Sequence, residues 1–223
     1  MNFKSVFIFT FITFLLSSCA GYHVNSYNNP LLGYDIKSIS VPMFVNRTNI
    51  VGLSAPMTKE IVLSLQEYSG LKVIGGENDN TDAVLLGIIE APQHINQTFK
   101  SSEPVFTEGD IKNSIGERAP FYYPTKTNYQ FSVRFIFIKR PSKEEIELLT
   151  SDIGKSIKLH PKIVLEETLN FSGSFSRAVN KNINPGDPGE VNFVKNRGIL
   201  EKSIFEISKE AANTFKQVVL NVF

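Results

Sequence analysis

The chain of 223 residues has one cysteine, three histidines and no tryptophan, and its formal charge is +1. A single cysteine excludes an internal disulfide, so the fold must be held by its apolar core and by whatever it docks against. Lys and Arg number 23 against 22 Asp and Glu, which excludes the strongly basic footprint of a nucleic-acid binder. His23, His94 and His160 offer no pair at helical ligand spacing, and no metal site is expected. After the first residues no apolar run approaches the roughly twenty residues that a membrane-spanning helix needs. What the chain does have is 18 Phe and 7 Tyr, many of them in stretches that read as strands.

The one cysteine stands at the end of Leu16-Ser17-Ser18-Cys19. Lys4 precedes an apolar run from Val6 to Leu16, and the small residues Ser17 and Ser18 follow it, the layout of a secretory signal. The spacing leucine, small, small, cysteine resembles a lipobox. In that reading the Cys19 thiol accepts a diacylglyceryl group, cleavage follows, and Cys19 becomes the acylated N-terminus. Expected boundaries are a signal peptide over 1–18, a lipidated N-terminus and polar tether over 19–35, and a single domain over 36–223. Ala20, in place of Asp, favours the outer membrane by analogy with enterobacterial sorting. Beyond the covalent diacylglyceryl and N-acyl lipid on Cys19, no cofactor is expected.

Ile36 to Val45 reads as a strand, closed by the turn Asn46-Arg47-Thr48-Asn49. Ser54 is placed to cap a helix whose apolar positions Met57, Ile61, Leu65 and Tyr68 recur at spacings of four and three. Leu71–Ile74 gives a short strand, and the unbroken run Ala83–Ile89 a strand buried on both faces. Between Ser101 and Lys126 prolines and glycines break any period, so a long loop is expected. Tyr129 to Ile138 alternates most clearly. Arg140–Glu145 reads as a turn, Ile146–His160 is ambiguous, and Ile163 to Phe175 alternates again with a break at Gly173. A long amphipathic helix follows, through Leu200, Ile204, Ile207, Ala211, Phe215, Val218 and Val222. The predicted class is α+β: a two-layer sandwich with two helices packed on one face of a mixed, mostly antiparallel sheet.

No catalytic site is identified. A nucleophile elbow, a phosphate loop and a dinucleotide fingerprint are all missing. Asn78, Asn80 and Asp82 alternate like the opening of a calcium loop but lack its glycine and terminal glutamate, so a turn is expected. The carboxylate groups Glu144, Glu145 and Glu147, and Glu166 with Glu167, read as solvated faces rather than an acid and base pair.

Cys19-Ala-Gly-Tyr-His23, Ile39-Ser-Val-Pro-Met-Phe-Val-Asn46, Gly52-Leu53 opening a helix, Leu71-Lys-Val-Ile74 and Asp82-Ala-Val-Leu-Leu-Gly87 together resemble the lipopolysaccharide-assembly lipoprotein family, LptE. The match is best over residues 19–90. The resemblance implies a non-enzymatic role: a lipoprotein anchored on the periplasmic side of the outer membrane, plugging the β-barrel that inserts lipopolysaccharide. Its partners would be that barrel, lipopolysaccharide, and the bilayer through the acyl anchor. Arg134, Lys139, Arg140 and Lys143 are the basic groups that could pair with lipid phosphates, although Lys139, Arg140 and Lys143 also read as a solvated turn. Ser40–Thr48 with its helix resembles as well the curli-secretion channel lipoproteins, which implies self-assembly and pore-forming strands.

Overall fold

The computed structural model describes residues 27–78, 80–91, 98–106, 122–151, 153–156, 160–178 and 193–220. Cys19 and the signal segment lie outside these residues. In chain order the elements are β1 (Tyr27–Asn28), β2 (Ser38–Val41), β3 (Val45–Asn46), α1 (Ser54–Gln66), β4 (Tyr68–Ser69), β5 (Lys72–Gly75) and β6 (Ala83–Glu90). Then come β7 (Phe99–Phe106), β8 (Tyr122–Lys139), α2 (Lys143–Thr150), β9 (Ile163–Ser176) and α3 (Phe193–Val218).

The architecture is α+β, as the alternation of strand and helix periods predicts. β5, β2 and β6 run parallel, β3 extends the β2 edge of β6, and β6 then pairs antiparallel with β8. The 18-residue β8 is long enough to hold two strands end to end on one side. Its half from Ser132 to Lys139 pairs with β6, and its half from Tyr122 to Tyr129 pairs with β7. β9 runs antiparallel along its other side.

The aromatic face seen in the sequence becomes the main core. Tyr129, Phe131, Val133, Phe135 and Phe137 point to one side of β8, where they meet Met57, Ile61 and Leu65 of α1 and Ile207, Ala211 and Phe215 of α3. The Phe215 ring lies 4.6 Å from Phe135, and Phe44 meets Phe135 edge-on at 6.0 Å. Phe44 rests directly on Gly87, where a Cβ would fall 2.4 Å from the ring. Thr58 fixes that approach, because its Oγ1 accepts the Phe44 amide at 3.0 Å and donates to Ser54 O at 2.8 Å.

Several expectations change. Two helices do share one face, but a third, α2, covers the other, where Leu149 closes a smaller core with Val84, Leu86, Ile88, Ile136 and Ile138. β6 is buried on both faces for this reason. The residues Lys143–Glu145, expected in a turn, form the first turn of α2, because Ser142 and Glu145 make a reciprocal capping box. Residues 101–106 and 122–126, expected in a loop, are strand; Pro104 stands opposite Pro124, so neither proline interrupts the pairing of its neighbours. Gly173 does not break β9, since it makes room for the Tyr129 ring, 2.3 Å from where its Cβ would be. Ser54 lies inside α1 and caps nothing; the N-cap position is Leu53. Val218 of α3 is exposed.

The expected tether also stops earlier than residue 35. β1 pairs with β4, Leu31 is fully buried, and the buried Asn29 side chain donates to Ile36 O at 2.7 Å and accepts the Leu31 amide at 2.9 Å. From Tyr27 onward the chain is part of the body.

Candidate functional site

Parallel pairing places the starts of β2, β5 and β6 at one end of the sheet, and antiparallel pairing brings the end of β8 to the same place. Ser38 is in register with Lys72, and Ala83 with Lys139. Lys37, Lys72, Lys139 and Arg140 therefore gather at one end, all of them exposed except the half-buried Lys139. The N-terminal segment reaches this same end, where the Lys139 ammonium donates to Tyr34 O at 2.7 Å.

Asp82 organises the cluster. Its Oδ2 accepts the amides of Lys37 at 3.1 Å and Ser38 at 2.9 Å and the Ser38 hydroxyl at 2.8 Å. Arg140 Nη2 lies 3.6 Å from Oδ1, and the Arg140 amide donates to Asp82 O at 3.1 Å. The Ser38 hydroxyl, then the Lys37 amide, lower the Asp82 pKa below the ordinary value of 3.8. These bonds favour the charged form more than desolvation opposes it. Arg140 adopts φ 42°, the left-handed turn that ends β8 and swings its side chain out, 74% exposed. Beside it, Glu145 binds Lys162 at 2.7 Å and His160 at 3.4 Å, and the Lys162 hydrogen bond is the main cause that lowers its pKa.

Of the four basic residues picked from the sequence, the structure brings together three. Arg140 and Lys143 line one cleft of about 90 Å³ with Ser40, Thr81 and Glu147 among its walls, and Lys139 adjoins it along the strand. That cleft has room for a small polar group rather than for a lipid headgroup. Arg134 is separated from them and turned inward: only 7% exposed, it binds Glu166 at 2.7 Å and donates twice to Gly154 O at 3.1 Å. Its guanidinium fastens the segment after α2 to the sheet and is not presented to lipid. Lys37 and Lys72 were missed in the sequence because each looks like an isolated surface charge. Their signal is positional: each stands at the head of a strand, and parallel pairing sets such residues side by side.

Among the described residues, no group of three His, Cys, Asp or Glu could hold a metal ion, and no helix is long and apolar enough to cross a membrane. Asn78 accepts the Asn80 amide at 2.9 Å, the local bond of a turn. His23 and His94 lie outside the described residues. The arrangement can offer several separate cations to an anionic surface, each able to make a charge-assisted hydrogen bond.

The sequence matches no protein-family model and no curated protein. Among solved structures it is similar to a Caulobacter crescentus protein assigned as a lipoprotein, at 8% identity over 80% of this chain and 89% of that one, with a TM-score of 0.39. A Xanthomonas campestris protein of the DUF330 family is similar at 9% identity over 91% and 90% of the two chains, TM-score 0.37. Rare lipoprotein B from Shewanella oneidensis is similar at 10% identity over 82% and 95%, TM-score 0.33. Two of these three are called lipoproteins; at such identities and scores the likeness carries no argument about activity.

Proposed function

We propose that this chain is a lipoprotein of the bacterial outer membrane, held by acyl groups on Cys19, that acts without catalysis by docking in the β-barrel that inserts lipopolysaccharide. The observation that carries the reading is the gathering of Lys37, Lys72, Lys139 and Arg140 at one end of the fold. Tyr27, the first described residue, is already paired in β1, and the chain from Cys19 to it can span at most about 27 Å. Further along, the Tyr34 carbonyl accepts the Lys139 ammonium at the end that displays Lys37, Lys72 and Arg140. Each such cation near an anionic lipid surface contributes about 1 kcal/mol, and an acyl anchor supplemented by a basic patch holds more firmly than one acyl chain. The packed domain suits docking, since a preformed surface avoids the ordering cost of a flexible chain. The barrel and lipopolysaccharide enter through the resemblance over residues 19–90.

The secretion-pore reading is disfavoured by one observation. The apolar face of β8, which would have to meet lipid, is covered by α3 through Phe215.

Gentle detergent extraction of the native outer membrane tests the proposal. A large β-barrel should co-purify in equal stoichiometry, and depletion should lower lipopolysaccharide in the outer leaflet; extraction without a barrel, with an unchanged leaflet, refutes it. Cys19→Ala should abolish fatty-acid labelling, and labelling that persists removes Cys19 as the anchor.

A further inference from the structure

The alternation that turns Tyr129 and Phe131 into the core turns Asn128 and Gln130 to the opposite face of β8. Register carries β7 and β9 with them: Lys100 and Ser174 flank Asn128, Ser172 flanks Gln130, and the Gln130 amide donates to Thr98 O at 2.9 Å. These six residues wall a cavity of about 310 Å³, at the small end of the roughly 300–1,000 Å³ of small-molecule sites. α2 covers the same face farther along, over Ile136 and Ile138, whereas Lys100, Asn128, Ser172 and Ser174 are exposed. Thr98 is different. It is fully buried, and its Oγ1 has no hydrogen-bond partner among the described residues. Phe99 turns to the Tyr129 ring, which leaves Thr98, the residue before it, on the cavity side. A buried hydroxyl left unpaired is costly, so the cavity holds an unmet demand for one more polar group.

We propose that this cavity binds a sugar carrying one anionic group, a sugar acid or a sugar phosphate. Its walls exclude the other classes. An apolar ligand would face the six polar side chains, and a cation would meet Lys100 with no carboxylate to hold it. The Tyr129 ring, whose hydroxyl meets the Ser203 hydroxyl of α3 at 2.7 Å, lies on the core side, so a nucleobase has no ring to stack on. A bare inorganic anion is gripped by free backbone amides or by several cations. Here Lys100 is the one cation among the described residues of the wall, and β8 is committed to ladders with β7 and β9 on either side. What remains is a ligand with hydroxyls and a single negative charge. The hydroxyls of Thr98, Ser172 and Ser174 and the amides of Asn128 and Gln130 can both donate and accept, as every sugar hydroxyl does, and Lys100 supplies a charge-assisted bond. The site does not rest on the proposed docking role, since Gln130 stands nine residues before Lys139 on β8, about 30 Å from the basic end.

Calorimetric titration of the full chain in mild detergent tests the site. Glucuronate and glucose 6-phosphate should each bind once per chain at millimolar concentration or below, with glucose and inorganic phosphate at least tenfold weaker. Lys100→Gln should weaken both sugar anions at least tenfold and leave glucose unchanged. Thr98→Val should weaken all three sugars severalfold while the thermal midpoint of the free protein does not fall, because the exchange removes an unpaired hydroxyl at nearly constant shape. Methyl glucuronide separates the two sources of such a ligand: binding equal to glucuronate assigns a unit of a glycan chain, and exclusion assigns a free sugar. No saturable binding of either sugar anion, glucose or inorganic phosphate binding as tightly as they do, or binding indifferent to both substitutions overturns the proposal.

Discussion

Asp82 shows how one side chain sets the chemistry of its neighbourhood. It ties the heads of β2 and β6 and the end of β8 together, and its pKa is depressed, chiefly by the Ser38 hydroxyl. A depressed carboxyl stabilises the fold at pH above its ordinary value and loses that contribution as pH falls through the folded value. Asp82→Asn should therefore cost about 1 kcal/mol near neutral pH, and the gap from the parent should close below about pH 4; urea unfolding at pH 7 and pH 3 measures both. At Gly87 the constraint is steric. Gly87→Ala drives a methyl into the Phe44 ring, and a loss of about 1–3 kcal/mol is expected, read as a lower urea midpoint with unchanged slope. Gly173 reads in the sequence as a break in its strand, whereas Gly87 lies inside the unbroken apolar run Ala83–Ile89. Both instead seat an aromatic ring from a neighbouring segment, a role that needs the partner's position and so cannot be seen locally.

Among the elements, those with a sustained period or an unbroken apolar run were legible: β6, the second half of β8, β9, α1 and α3. The elements that escaped are short or lean on a distant partner. α2 has eight residues, too few for its period to stand out, and its apolar Leu149 acquires meaning only against Ile136 and Ile138. Its start was nevertheless written in Ser142 and Glu145, the capping-box pair. Ser142→Ala should loosen α2 by about 1 kcal/mol, seen as faster amide exchange over Lys143–Thr150 with little change in α3. β7 and the first half of β8 were hidden by Pro104 and Pro124, which suggest a loop when each is taken alone. Their mutual register makes both compatible with a ladder.

Across the whole molecule, the candidate site was half legible. Lys139, Arg140 and Lys143 were visible as a run, whereas Lys37 and Lys72 joined them only through parallel pairing, and Arg134 left them because its face of the sheet is closed by Gly154 and Glu166. The N-terminal segment likewise reads as polar linker, but its Leu31 is fully buried. Leu31→Ala should cost about 2–5 kcal/mol, measured by thermal unfolding, where a flexible linker would show no change. The placement of α3 has a further consequence, for the order in which the chain can mature. The aromatic face of β8 is complete by Lys139, but the helix that roofs it comes from residues 193–218. Until residues 193–218 have been made and can pack, the part of this face that α3 covers stays open and sticky. A chain interrupted before residue 193 should therefore bind holding chaperones and clump, however much of its sheet has formed.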